Sequence, residues 1–294
     1  MRFLVRFSLV MATMGRTEEV AAFMASLQRQ SLADFELIVV DQNDDDRLVD
    51  ICRRFKALFP LRHERSRVKR VSHARNVGIE FCTGEIVAFP DDDCIYPDDL
   101  LRSVHDSFIA DPDLDILSGS AVSPAGRPGS GRWTKAAGVI QLDTVWTSVI
   151  AFSFFIRAPI LRNVGGFDEA LGVGARFGSC EETDLVIRAM QSGARAVYDP
   201  SKAVIHPDKT LTPVAIARAF DYGTGMGYVM RKHRVKPSIY MTYFMRPLGG
   251  VVLSLARLRI PDARYYWNTL RGRLQGFRSR PAGRTPPLPP VMVR

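Results

Sequence analysis

Asp91, Asp92 and Asp93 stand in a row directly after an apolar run, Glu85 to Phe89 (EIVAF). The run reads as a buried strand, and Pro90 with the acidic triplet as the turn at its carboxyl end. Alternate residues of an extended segment project to the same side, so Asp91 and Asp93 can face one ligand together. Two carboxylates held side by side repel unless a cation lies between them. Their hard oxygen atoms suit Mg2+ or Mn2+, and Mg2+ is commonly shared with substrate phosphates. An isolated Asp triplet would read as an acidic surface turn; its position at a strand end favours the metal reading.

Two further segments carry chemistry. In Ser72 to Gly78 (SHARNVG), Arg75 and Asn76 lie near the start of an expected helix. There, backbone N–H groups and a guanidinium can meet a diphosphate, although a solvated helix face is the plainer reading. In Glu181-Glu182-Thr183-Asp184, a carboxylate could serve as a general base. Asp184 and Arg188 have the spacing of an i, i+4 ion pair. Ser179-x-x-Glu182 also matches a capping box, which would make Glu182 a helix-start residue and nothing more.

The elements that must position these groups follow from periodicity. Phe7 to Ala12 (FSLVMA) and Phe35 to Val40 (FELIVV) read as buried strands, the second ending at Asp41. Between them Thr17 caps a helix with Val20, Phe23, Met24 and Leu27 on one face. Further helices are expected with Leu48, Ile51, Cys52 and Phe55 inward, over 72–82, and from Pro97 with Leu100, Val104 and Phe108 inward. Strands alternating with helices imply a mostly parallel sheet, which binds ligands at the strands' carboxyl ends. Thr13 and Arg16, Asp41, and Asp91 to Asp93 collect at those ends. Beyond residue 114 the pattern loosens: strands are expected over 115–122, 148–155 and 194–198, and a helix over 180–191.

Taken together, these segments resemble the family 2 glycosyltransferases of the GT-A fold. The matching stretches are SLVMATMGR, LQRQSLADFELIVVDQNDDD, ARNVGIEFCTGEIVAFPDDDC, VGGFDEALGVG, EETDLVIR and GARAVYDPSKAVIHP, in the family's order from Ser8 to Pro207. The resemblance implies an α/β fold with a Rossmann-like mixed sheet flanked by helices. It implies a nucleotide-sugar donor, Mn2+ or Mg2+ as cofactor, and a sugar or lipid-linked sugar acceptor in bacterial polysaccharide or glycolipid assembly.

It implies residue roles as well. Asp41 would contact the nucleobase, with Thr13 and Arg16 lining the same pocket. Arg75 and Asn76 would sit by the nucleotide, Asp91 would approach the ribose, and Asp92 would belong to the same nucleotide-sugar site. Asp93 would hold the metal bridging the diphosphate, with Asp91 beside it, and His206 (in VIHP) falls where some members carry an additional metal or phosphate ligand. In the family's E-D motif the aspartate is the catalytic base; that position here is Glu182, with Glu181 as the other candidate. The processive members' Q-x-x-R-W motif is missing, since Gln275-Gly276-Phe277-Arg278 is followed by Ser279. One sugar per cycle, with inversion, is the expected outcome. The Glu in place of Asp keeps a second reading open, a non-catalytic sugar-nucleotide or carbohydrate-binding protein. A sugar nucleotidyltransferase would need a G-x-G-T-R loop after the first strand, which MATMGRT does not supply.

Charge divides the chain. Of its 40 Lys and Arg, 16 lie between Lys209 and Arg294 against two acids, Asp221 and Asp262, leaving a mildly acidic body over 1–208. Within the basic end, Ser238 to Ala256 has one charge, Arg246, and is broken by Pro247 and Gly249-Gly250. Apolar, aromatic and basic residues so mixed suggest attachment to the inner face of the cytoplasmic membrane rather than to nucleic acid. The expected organisation is a catalytic domain over 1–208 (a nucleotide-binding half 1–114 and an acceptor half 115–208), a helical membrane-associated extension over 209–277, and a disordered tail over 278–294. The cysteines Cys52, Cys82, Cys94 and Cys180 form no C-x-x-C pair and read as reduced thiols of a cytoplasmic protein.

Overall fold

Along the first strand, β1 (Phe7–Thr13), Phe7, Leu9 and Met11 enter one apolar core and Val10 the other. The same division runs through β2 (Phe35–Asp41), β4 (Ile86–Ala88) and β8 (Phe154–Arg157), because side chains alternate across a sheet. The sheet is therefore covered on both faces, which explains why its central strands are continuously apolar. This computed structural model describes residues 6–129, 133–208 and 210–280.

The remaining strands are β3 (Leu61–Arg65), β5 (Ile116–Ser118), β6 (Ala121–Val122), β7 (Gly138–Val139), β9 (Ala196–Tyr198) and β10 (Val204–Ile205). The helices of the first 208 residues are α1 (Glu18–Gln28), α2 (Val49–Lys56), α3 (Val71–Ile79), α4 (Leu100–Ala110), α5 (Ala158–Asn163) and α6 (Glu181–Gln191). Among the described residues an eight-stranded sheet runs β3-β2-β1-β4-β8-β5-β9-β7, and β10 pairs with β6 in a small second sheet. β3, β2, β1 and β4 run parallel to one another, whereas β8 is antiparallel to both β4 and β5. Helices α1, α2 and α4 supply one core, and α3, α5 and α6 the other. The order in which strands are added to the sheet reverses between β1 and β4, the switch point where open α/β sheets form a crevice.

Several expectations are corrected. Residues 115–122 are two strands in two sheets: at Gly119 the chain packs against the Lys202 carbonyl, where a side chain has no room. In the 148–155 stretch the strand begins only at Phe154, after two short turns of 3-10 helix. α3 ends at Ile79 rather than at Cys82. Arg278 ends a helix instead of starting the tail, and the rest of the expected disorder, over 281–294, lies outside the described residues.

Past residue 208 come α7 (Pro213–Lys232), α8 (Pro237–Ala256) and α9 (Ile260–Arg278). Pro247 and Gly249-Gly250 do not break α8, which runs through all three; packing on α9 overrides local propensity. Two GxxxG pairs, Gly223/Gly227 on α7 and Gly272/Gly276 on α9, bring those helices into backbone contact. A Cβ on Gly223 would lie 3.1 Å from the Cα of Gly272, and one on Gly276 would lie 2.8 Å from the Tyr228 nitrogen. Asp184 ties α6 to this unit. Fully buried, it holds Arg188 at 2.8 Å, Lys232 at 2.8 Å and His233 at 2.7 Å. Burial alone would raise its pKa; the His233 hydrogen bond and the two cations pull it well below the usual carboxylate range.

Candidate active site

At the switch point the carboxyl ends of β1 and β4 lie side by side, and Asp91 continues the pairing through a bridge to Ala12. The next residues turn: the Asp91 carbonyl accepts the Cys94 N–H at 3.3 Å. Asp91 and Asp93 thus approach each other through a turn, not through the alternation of a strand. Ile95 bridges Ile205 of β10, which delivers His206 to the same place. One ligand atom from each of Asp91, Asp93 and His206 lies within 4.8 Å of the others.

His206 is oriented from both ends. Its Nδ1 faces the Pro207 carbonyl at 2.9 Å and its Nε2 faces Asp93 at 3.3 Å. When protonated, the ring donates from Nε2 to Asp93; a neutral ring with its proton on Nδ1 would instead offer the Nε2 lone pair to a cation held between the carboxylates. Burial would lower the His206 pKa, but the Asp93 carboxylate outweighs it and raises the imidazole. Asp93 moves the other way: burial would raise it, while His206 and Arg16 draw it down. Burial pushes Asp91 up to about 6 against the pull of Arg75.

Asp92 turns away from this trio. It accepts from the Thr13 hydroxyl at 2.7 Å and pairs with Arg16, whose other nitrogen reaches Asp93 at 2.8 Å. Arg75, on α3, is buried and bidentate. One nitrogen meets Glu181 at 2.8 Å and the other Asp91 at 3.0 Å. This guanidinium links the β4 turn to the first residue of α6.

The capping box is not formed. Cys180 occupies the N-cap position with a left-handed φ of 65°, and the Ser179 hydroxyl donates to the Tyr222 carbonyl at 2.7 Å. Glu182 is therefore not the reciprocal partner of a Ser179 cap, although its carboxylate lies in the first turn of α6 and accepts its own backbone N–H. The two glutamates differ: Glu181 is held by Arg75, whereas Glu182 pairs with no basic side chain among the described residues. Burial, and then the Glu181 charge, push the Glu182 pKa upward.

These groups share a cleft of about 980 Å³ whose wall includes Arg16, Arg75, Asp91 to Asp93, Glu181, Glu182 and His206. Three expected residues stand behind it. Asp41 is fully buried, with one oxygen accepting from the Asn43 backbone and side chain and the other 3.0 Å from His63; its neighbour Gln42 lines the cleft instead. Asn76 donates to the Phe167 carbonyl and accepts the Phe167 N–H, fastening the 167–169 loop. Thr13 acts on Asp92. Conversely, Lys69, Arg218, Tyr222, Tyr265 and Arg273 line the cleft without having been singled out. Four of these come from α7 and α9, and the paired GxxxG patterns were the sequence signal that these helices close on each other.

The family model for glycosyl transferase family 2 matches residues 8–164, more than half of the chain. A pre-mycofactocin glycosyltransferase of Mycobacterium tuberculosis is 29% identical over 204 residues, which cover 64% of this chain and 42% of that relative. The chain therefore spans less than half the length of that relative. A glucosyl-dolichyl phosphate glucuronosyltransferase of Haloferax volcanii is 26% identical over 222 residues, 69% of each protein. A solved mannosyltransferase from Pyrobaculum calidifontis, in complex with GDP-Man and Mn2+, shares the fold at a TM-score of 0.64 and 16% identity, over 92% of this chain and 86% of that one. The order of its strands, the convergence of its acidic residues at the β1–β4 crevice and the family match agree: the chain belongs to glycosyl transferase family 2.

Proposed function

We propose that the protein is an inverting glycosyltransferase that moves one sugar per cycle from a nucleotide-sugar donor to an acceptor hydroxyl. One juxtaposition carries the reading: the Asp91–Asp93–His206 trio and the Glu181–Glu182 pair lie in one cleft, tied together by Arg75. Two carboxylates and an imidazole suit Mn2+ better than Mg2+, which prefers oxygen ligands throughout. The Mn2+ in the mannosyltransferase of the same fold supports that assignment. Asp91, Asp93 and His206 would hold a divalent ion, which would supply positive charge to a donor diphosphate.

The chain's own residues do the rest. Arg16 and Lys69 offer the cleft further cationic donors for phosphate. Asp92, fixed by Thr13, holds Arg16 in place, and Asp41 fixes the backbone beside Gln42 at the nucleobase end. Glu182 takes the proton of the acceptor hydroxyl, and an elevated pKa makes it a stronger base. The acceptor oxygen bonds to the anomeric carbon from the face opposite the diphosphate. The bond from that carbon to the diphosphate oxygen breaks, its electron pair leaves with the nucleoside diphosphate, and the configuration inverts. Glu181 and Arg75 keep the helix start in register with the β4 turn. In this reading residues 1–208 are the catalytic domain, with halves 1–114 and 115–208, and 209–277 is an extension that roofs the cleft. A lipid-linked acceptor at the cytoplasmic membrane is favoured by the basic, apolar character of that extension and by the Haloferax relative's lipid-linked substrate.

The test is a panel of nucleotide sugars with purified protein in EDTA, Mg2+ or Mn2+, read as nucleoside diphosphate released. Release should require the ion, and Glu182→Gln should lower kcat by about a hundredfold or more at unchanged donor affinity. Asp93→Asn should abolish stimulation by the ion. Wild-type turnover in Glu182→Gln, or an unaltered ion requirement in Asp93→Asn, counts against the assignment. Donor binding by the wild type with no release at all would identify a sugar-nucleotide-binding protein instead.

A further inference from the structure

α8 carries two adjacent stripes of opposite character. Met241, Met245, Leu248, Val252 and Leu255 are all exposed. Their separations of three and four residues place them on one face along the whole helix. One position round, Arg246, Gly249, Leu253 and Arg257 form a second stripe. With Arg259 and Tyr266 it walls a groove of about 300 Å³ between α8 and α9. Glycines shape the groove. A Cβ on Gly250 would sit 2.6 Å from the Tyr266 ring, so glycine lets the helices close there, while nothing lies within 4 Å of a Cβ on Gly249, so the space above it is open.

The groove has an excess of positive charge. Among the described residues neither Arg246 nor Arg257 pairs with a carboxylate, and Arg259 has a single partner, Asp262, at 3.1 Å. The tip of the helical hairpin has the same mixture. Leu258 is 85% exposed, has a left-handed φ of 56°, and stands between Arg257 and Arg259. This is the helix-ending turn of α8, in which the Leu258 N–H bonds to the Leu255 carbonyl at 3.0 Å and the Arg259 N–H to the Ser254 carbonyl at 2.8 Å, and it holds the leucine outward.

We propose that the α8–α9 hairpin docks on an anionic phospholipid surface. The Met241–Leu255 stripe and Leu258 enter the acyl boundary, and a lipid phosphate occupies the groove of Arg246, Arg257 and Arg259. The charge selects an anionic partner, and the continuous apolar stripe selects a membrane over a nucleic acid. α8 is long and apolar enough to cross a bilayer. Crossing would carry Arg246 to the bilayer centre, which is costly, and would part α8 from α9; docking leaves both in place. The inference deepens the membrane-acceptor part of the proposed function by naming the surface and its lipid. Tyr265 lines the catalytic cleft and the adjacent Tyr266 lines the groove. A phosphate in the groove therefore lies one helix away from the cleft, about 10 Å.

The test is co-sedimentation of the full chain with vesicles of phosphatidylcholine alone, or with about a third phosphatidylglycerol. The wild type should bind the anionic vesicles, weakly bind the neutral ones, and dissociate as salt rises. Arg246→Ala with Arg257→Ala should lower partition roughly thirtyfold, about fivefold for each arginine. Gly249→Leu fills the open space without altering charge and should reduce the preference for anionic over neutral vesicles. Nucleoside diphosphate release in solution should be unchanged in all of them, which also reports correct folding. Equal binding to both vesicle types, wild-type partition by the double variant, or retention on vesicles at high salt would overturn the docking. Failure of donor turnover in every protein, wild type included, would instead count against the glycosyltransferase reading and leave the vesicle result standing.

Discussion

Replacing Arg75 by methionine asks whether one buried cation holds the cleft together. Arg75 is 2% exposed, and its guanidinium joins Glu181 at 2.8 Å and Asp91 at 3.0 Å. Methionine keeps much of the volume, gives up the guanidinium's place 5.4 Å from the centre of the Phe167 ring, and leaves Glu181 buried without a counter-charge. Removing one partner of a buried ion pair costs about 3–5 kcal/mol. Asp91 is 35% exposed. Water screens it, so its share is nearer 0.5 kcal/mol, roughly the value of a surface pair. The expected loss is about 4 kcal/mol, or a fall in Tm of roughly 8 °C for a chain of this size. The decisive comparison adds Glu181→Gln. The amide removes the stranded charge, so the double variant should recover about 2 kcal/mol relative to Arg75→Met. Thermal melts of the four proteins in EDTA at neutral pH complete the cycle. A loss below about 1 kcal/mol would refute the reasoning, because Arg75 would then act like a surface residue. Equal melting of the single and double variants would do so too.

Two further outcomes test the frame. The Asp41 hydrogen bond, and then Cys52, raise His63 from 6.5 to about 9. Its protonated form therefore stabilises the fold fully below pH 6.5, and that contribution disappears as pH rises through about 9. His63→Ala should melt lower than wild type near pH 6.5 and flatten the decline toward pH 9; a decline as steep as the wild type's would show that other groups cause it. Gly276→Leu should cost about 3 kcal/mol in urea unfolding, by driving a side chain into the α7 backbone, and should lower turnover through Tyr265, Thr269 and Arg273. Gly249→Leu, in open space, should stay within about 0.5 kcal/mol of wild type, and equal losses at the two positions would remove the packing argument.

The first 110 residues were readable because buried parallel strands must be apolar on both faces. Phe7 to Ala12 and Phe35 to Val40 could have served no other purpose in a soluble core. β3 escaped because it is an edge strand: of Leu61 to Arg65 only Leu61 is buried, and one residue makes no period. Beyond residue 114 the strands have two to four residues each, too short for alternation to register. In the site, the acidic triplet was legible by its place after a strand. The Arg75–Glu181 pair was not, since 106 residues separate its partners. The capping-box pattern at Ser179 and Glu182 failed for a local reason. The left-handed Cys180 takes the cap position, and the Ser179 hydroxyl turns to Tyr222, a contact that exists only once α7 has packed.

That contact bears on where the catalytic unit ends. Charge and composition place a boundary near residue 208, yet the fold crosses it repeatedly. Asp184 of α6 meets Lys232, the last residue of α7, at 2.8 Å and His233, which follows it, at 2.7 Å. A Cβ on Gly178 would lie 2.8 Å from Asp221, so the chain leading into the Glu181–Glu182 pair is seated directly on α7. α7 in turn is locked to α9 through paired glycines. A load on α9 has a short packed route to those glutamates, through α7 and the 178–180 segment. If the α8–α9 hairpin meets a membrane, the surface that receives the acceptor and the segment that sets the glutamates are parts of one packed body. Truncating the chain after residue 208 should then remove more than membrane affinity: it would take Lys232 and His233 away from Asp184, leaving it Arg188, and free the start of α6. Loss of soluble donor turnover in such a truncation, alongside its retention in Arg246→Ala with Arg257→Ala, would separate the structural role of α7 from the docking role of α8. A truncated protein with normal turnover would show that α6 holds its position without α7.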